Sequence, residues 1–251
     1  MKGDALIIEG LRKRLGGIEV LADVNTRLRQ GEITAFIGPN GAGKTTLFQA
    51  ITGELKPDAG RVVFEGADIT HQEPWAIARM GVGKVFQDVR VFPSLSVVDN
   101  VVAALQRHPA RSLRASLLRG ERSLREAKER ADTLLDRVGL EGWRDGPAGE
   151  LSWGNQKLLA FARLLAGEFR FALLDEPVAG VSPALSGRMK ELIREMAKQD
   201  GVTVALIEHD MSFVRDLADT VVVLREGRVF DQGPATEVFG RPANVELCMG
   251  L

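Results

Sequence analysis

Residues Gly38-Pro39-Asn40-Gly41-Ala42-Gly43-Lys44-Thr45-Thr46 follow the pattern G-x-x-x-x-G-K-[ST]. They stand between the apolar run Ile33-Thr34-Ala35-Phe36-Ile37 and Leu47-Phe48-Gln49-Ala50-Ile51. That order predicts a strand, a glycine-rich turn and a helix starting near Lys44. Glycines let such a turn direct successive backbone N–H groups inward around phosphate oxygens. The helix N-terminus adds unpaired donors and a partial positive charge. Lys44 would reach the β- and γ-phosphates of a nucleoside triphosphate, and the Thr45 hydroxyl would ligate Mg²⁺. An ordinary glycine turn accounts for neither the lysine nor the hydroxyl beside it.

Phe171-Ala172-Leu173-Leu174-Asp175-Glu176-Pro177 ends a buried-strand pattern on two adjacent carboxylates. Asp175 is placed to hold Mg²⁺, through water, because a hard cation takes oxygen ligands. Glu176 is then the candidate base that polarises the attacking water. Such a pair alone is often only a polar strand end. Beside a phosphate loop it makes a Walker B element.

These residues need a scaffold, and the chain has the length for one large domain or two small ones. Of its 251 residues, 45% are hydrophobic and 27% charged, as in soluble globular proteins. A formal net charge of −1 supplies no basic field for nucleic acid. One cysteine, Cys248, excludes an internal disulfide and fits a reducing compartment. Met1-Lys2-Gly3-Asp4 leads straight into a strand-like segment, which predicts no signal peptide. No apolar run reaches membrane-spanning length, so contact with a membrane would need a partner.

Along the chain, residues 6–30 and 60–66 carry short alternating patterns expected to form antiparallel strands, with a turn at Pro57-Asp58-Ala59-Gly60. Val82-Gly83-Lys84-Val85-Phe86 predicts another strand. From about 97 to 166 helical patterning takes over. Leu124, Ala127, Ala131, Leu134, Leu135 and Val138 share one face, and Ser123 with Glu126 has capping-box spacing. The arginines between 107 and 130 interleave with Glu121, Glu126 and Glu129, as on a solvated helical face. An α/β alternation then returns. It comprises a strand at 171–174, a helix over 186–199 and a strand at 202–207, which implies a parallel sheet covered by helices.

Leu151-Ser152-Trp153-Gly154-Asn155-Gln156-Lys157, ahead of a helix expected from about Gln156 to Ala166, resembles the LSGGQ signature of ATP-binding-cassette (ABC) ATPases. Ser152 and Gly154 are kept, Trp153 replaces the first central glycine, and Asn155 replaces glutamine. Gln87 is similar to the Q-loop glutamine, Ala179-Gly180-Val181-Ser182-Pro183 to the D-loop, and His209 to the switch histidine. The resemblance covers nearly the whole chain. Its nearest likeness is to the ATPase subunits of branched-chain amino-acid importers. It rests there on residues 81–87 and 91–101, on Asp175-Glu176-Pro177-Val178-Ala179-Gly180 and on Ile207-Glu208-His209-Asp210-Met211.

The resemblance implies a P-loop NTPase ABC cassette. Its parts would be an antiparallel β subdomain at about 1–70, a helical subdomain at about 95–166 and a RecA-like parallel-sheet core from the remainder. ATP and Mg²⁺ are the implied ligands, with Glu176, His209 and Gln87 catalytic and with Thr45, Gln87 and Asp175 on the metal. Ser152 and Gly154 would contact nucleotide bound to a second ATPase subunit, either the same chain or a paralogue. Leu15 stands where the family usually stacks an aromatic on adenine, and it covers the base by apolar contact alone. Membrane-spanning permease subunits would dock near 87–93, an external substrate-binding protein would act indirectly, and nucleic acid is not a partner. The site of action would be the cytoplasmic face of the inner membrane. Alternatives are the ATPase of a lipopolysaccharide-type exporter or a soluble non-transport ABC ATPase. No Asn-Lys-x-Asp base-reading motif supports a small GTPase.

Overall fold

The computed structural model describes residues 3–85, 89–105 and 113–244, with the backbone alone over 113–122. In chain order the elements begin β1 (Asp4–Leu15), β2 (Ile18–Arg29), β3 (Ile33–Ile37), α1 (Lys44–Ile51), β4 (Ala59–Phe64) and β5 (Ala67–Asp68). Next come α2 (Pro74–Arg79), β6 (Val82–Val85), α3 (Val97–Leu105), α4 (Leu113–Val138) and α5 (Trp153–Ala166). The chain continues through β7 (Phe171–Asp175), α6 (Pro183–Lys198), β8 (Thr203–Ile207) and α7 (Met211–Leu217). It closes with β9 (Thr220–Arg225), β10 (Arg228–Pro234) and α8 (Ala235–Val238).

Two sheets result. One is antiparallel, in the order β2-β1-β4-β5, and the other runs β10-β9-β3-β8-β7-β6. In the second sheet β9, β3, β8, β7 and β6 are parallel, and only β10 runs against its neighbour. β3, β7 and β8 are buried at every position, as strands covered on both faces must be. One face packs on α1 and the antiparallel sheet, with Phe36 and Phe48 edge-to-face at 5.7 Å. The other face meets α3, α4, α5, α6 and α7.

Several expectations change. The stretch 1–70 is not one antiparallel layer, because β3 joins the parallel sheet. The expected turn at 57–60 ends early: Ala59 already pairs with Arg12, so β4 has begun. Ser123 and Glu126 do not mark a helix start, since α4 begins at Leu113 and runs through them. Helix formers continue across the spacing, and a capping pattern inside a helix is neutral. Leu124 is exposed, while Ala131, Leu135 and Val138 are buried. The apolar stripe therefore engages the core only toward the C-terminal end of α4. α5 begins at Trp153, with Ser152 accepting from the Asn155 N–H, and α6 begins at Pro183, with Ser182 accepting from the Leu185 N–H. In both, a serine N-cap marks the start better than the apolar periodicity does.

Phe64 on β4 and Phe171 on β7 meet edge-to-face at 5.9 Å and tie the two sheets together. Phe64→Ala should lower the unfolding free energy by about 3–5 kcal/mol. It would be read as a lower urea midpoint at an unchanged slope. An unshifted midpoint would show that the sheets are held elsewhere.

Candidate functional site

The phosphate loop is fixed by close backbone approaches. Gly38 has φ +142°, and a Cβ there would lie 2.1 Å from the Leu224 carbonyl oxygen of β9. At Gly43, φ is +97° and a Cβ would sit 2.7 Å from the Val20 oxygen of β2. Both positions thus need glycine for space as well as for backbone conformation. Gly43 is also the N-cap of α1. It offers no side-chain acceptor, and the first turn holds no acidic residue, so the helix end is suited to an anion supplied from outside. Lys44 is buried, and its Nζ donates to the carbonyls of Gly38 at 2.7 Å and Pro39 at 3.0 Å. The ammonium therefore stands inside the loop. Thr45 and Asn40 are exposed beside it.

Parallel pairing of β7 with β8, and of β8 with β3, sets three strand ends side by side. Asp175 ends β7 and is buried. Burial pushes its carboxyl above the ordinary carboxylate range. Lys84 and Lys44 act against this, while Glu176 and Glu54 reinforce it. A divalent cation would relieve that desolvation, and the donors Thr45 and Asp175 are of the hard-oxygen type that Mg²⁺ takes. Among the described residues no three acidic, histidine or cysteine side chains are arranged to hold a metal ion by themselves. Phosphate oxygens and water would therefore complete such an ion's shell.

Glu176 has a left-handed backbone, φ +48°, a conformation costing a non-glycine residue about 1–3 kcal/mol. Its N–H donates to the Ile207 carbonyl at 3.0 Å, extending the β7–β8 ladder by one rung. The turn aims the carboxylate at His209, whose Nε2 lies 3.2 Å from Glu176 Oε1. The two residues predicted to act together are therefore in contact.

Two buried charges absent from the sequence-based set lie directly beneath. Lys157 of α5 donates to the carbonyls of Glu176 at 3.0 Å and Ala179 at 2.8 Å. Burial lowers its ammonium pKa, against the pull of Glu208 and Glu176. Glu208 accepts from the Val178 N–H and the His209 N–H, each at 3.0 Å. Burial raises its carboxyl, against these backbone donors. The available signal was a charge set in an apolar context: Lys157 precedes Leu158-Leu159, and Glu208 directly follows the buried β8.

A cleft of about 500 Å³ joins Glu176, Glu208 and His209 to Ala179, Val181 and Ser186 of the D-loop and α6. Ser152 and Gly154 open α5 on the exposed side, where a Cβ on Gly154 would press Leu185 at 2.3 Å. Leu15 pairs with Ile18 at the tip of the β1–β2 hairpin, both exposed. Gln87 lies outside the described residues.

A model of the ABC transporter family matches residues 21–179. The high-affinity branched-chain amino acid transport ATP-binding protein BraF of Pseudomonas aeruginosa is 35% identical over 253 residues, 100% of this chain and 99% of its own. LivG of Escherichia coli K12, described in the same words, is 34% identical over 253 residues with the same coverage. Among solved structures, an ATP-binding cassette of an ABC transporter in its ADP conformation matches with TM-score 0.85. It is 32% identical and covers 99% of this chain and 100% of that one.

With its folded pKa raised by burial, Asp175 holds its proton more tightly in the native protein than in the unfolded chain. Stability therefore falls as pH rises through the ordinary carboxylate range. Nucleotide-free Asp175→Asn should escape that loss and melt at or above the wild-type temperature at neutral pH, while ATP turnover collapses. A clearly lower melting temperature would show that the carboxylate is stabilised by a partner in the native state.

Proposed function

The chain belongs to the ABC transporter family, and on that premise we propose that it is the ATP-hydrolysing subunit of an importer for branched-chain or related amino acids or amides. The observation that carries this is the Glu176–His209 contact at 3.2 Å, set at the end of the strand that also delivers Asp175. The cargo follows from relatives named as branched-chain amino acid transport ATP-binding proteins over essentially their full length.

Gly38 through Thr46 bind the triphosphate, with backbone N–H groups and the Lys44 ammonium directed at its oxygens. Thr45, Gln87 and Asp175 would hold Mg²⁺, which when bound neutralises charge developing between the β- and γ-phosphates. Glu176 accepts the proton of the attacking water as the water oxygen bonds to the γ-phosphorus. The bond from that phosphorus to the β–γ bridging oxygen breaks, leaving ADP and inorganic phosphate. His209 holds the carboxylate in line. Leu15 and Ile18 cover the base by apolar contact without aromatic stacking, so ATP and GTP should bind with similar strength.

Ser152 and Gly154 open a helix whose N-terminus suits a γ-phosphate, and they act on nucleotide held by a second subunit, either a copy of this chain or a paralogue. Among the described residues no helix is long and apolar enough to cross a membrane, so permease subunits supply the path. Their docking groove is a hollow of about 420 Å³ between α3, α5 and β6. Arg163 lines it, stacked at 4.9 Å on half-exposed Phe92 and bonded to the Arg90 carbonyl, with its Nε buried and unbonded. The subunit works at the cytoplasmic face of the inner membrane, fed by an external substrate-binding protein.

Glu176→Gln should lower phosphate release by about 10²–10⁴-fold while leaving ATP affinity intact. Near-normal release from that variant would remove Glu176 as the base. Slow hydrolysis prolongs the nucleotide-bridged state, so Glu176→Gln with ATP should elute as a dimer from a sizing column. Adding Ser152→Arg should return it to monomer. A Glu176→Gln protein that stays monomeric at saturating ATP would point to a paralogue as the partner.

A further inference from the structure

We propose that Lys157 and Glu208 form a buried ionic clamp that positions Glu176 and His209 for hydrolysis, a role that rests on Glu176 being the base. Two of the three ammonium protons of Lys157 go to carbonyls at the ends of one short loop, those of Glu176 and Ala179. Glu208 takes hold of the same loop from its N–H side, at Val178, and with its other oxygen holds the backbone of His209. One loop is thus gripped by a cation at its carbonyls and by an anion at an amide. The anion is shared with the residue that touches the base.

This geometry answers a particular need. Glu176 has a left-handed backbone that a glutamate does not adopt by preference. Its peptide neighbours must therefore over-determine the conformation. The Ile207 carbonyl fixes its N–H, and Lys157 fixes its C=O. With either contact gone, the residue can relax toward right-handed or extended backbone and carry its carboxylate away from His209. Lys157 also lies one turn beyond Gly154 on α5. The helix whose N-terminus bears Ser152 is therefore fastened to the base of its own subunit.

Removing one charge loses its own backbone hydrogen bonds and the Coulomb attraction that the other feels, so a single variant loses stability as well as position. The informative variant is accordingly Lys157→Met combined with Glu208→Gln, in which both charges are gone. It should melt close to the wild-type temperature and bind a non-hydrolysable ATP analogue with unaltered affinity by calorimetry. Its kcat should nonetheless fall by about 10²-fold, the scale of a misplacement near 1 Å. Lys157→Arg, which keeps a cation with donors, should retain kcat to within about tenfold on the same scale. A double variant whose melting temperature and kcat both match wild type would reduce the pair to a packing role and overturn the proposal.

Should the double variant fail to fold, Glu208→Gln alone carries the test, because the two backbone N–H groups meet different carboxylate oxygens and the amide NH2 would stand against one of them. Its kcat should drop at constant analogue affinity, and an unchanged kcat would refute the clamp. Glu176→Gln, assayed alongside, separates the two claims. Full turnover there would sink the base assignment itself, whereas its loss beside normal turnover in the clamp variants would sink only the positioning role.

Discussion

Taking a charged side chain out of water is among the least favourable steps in folding, and it persists only where the charge is paired or hydrogen-bonded. Among the described residues this protein does so four times: Lys44 and Asp175, each 6% exposed, and Lys157 and Glu208, each 3% exposed. All four gather at the carboxyl ends of the central parallel strands or directly beneath them. Lys44 follows β3, Asp175 ends β7, Glu208 follows β8, and Lys157 reaches in from α5. Everything else in the fold keeps these charges dry and close together.

The sheet order makes that possible. With β3 beside β8 and β8 beside β7, three strand ends open on one crevice, the place where open α/β sheets hold ligands. Each flanking layer has a task there. The antiparallel sheet backs Gly43 against Val20, and β9 backs Gly38 against Leu224, so the phosphate loop is squeezed into shape from two sides. The helical face brings α5 across the core, where Leu159, Phe161 and Ala162 anchor it. From that base its Lys157 meets the loop after β7.

The charges divide by what satisfies them. Lys157 and Glu208 are satisfied by backbone groups of the protein itself, and they hold the site together. Lys44 is bonded to the carbonyls of its own loop, an arrangement that phosphate oxygens can replace with a stronger, fully charged partner. Burial disfavours the charged form of Asp175, and the nearby Lys84 and Lys44 act against that penalty. Two charges that grip the backbone, one inside the phosphate loop and one at a strand end thus share a single edge.

While β9 and β10 went unread, the chain order alone fixed the phosphate loop, the core strands β3, β6, β7 and β8 and the Asp175-Glu176 pair. Their causes are local: glycines that must adopt positive φ, unbroken apolar runs of strand length, and carboxylates directly after one of them. The starts of α5 and α6 were also written locally, in Ser152 and Ser182, although apolar periodicity placed them too late. Only tertiary packing decided that β3 leaves its sequence neighbours β2 and β4 for β8 and β9, because strand pairing is settled by which buried faces meet. It likewise left Leu124 in water while burying Ala131 and Leu135 on the same helix. Lys157 and Glu208 stayed unseen for the same reason. Such a buried charge announces itself only once partners such as Glu176, Ala179 and Val178, 19 to 30 residues away along the chain, have come within hydrogen-bonding reach.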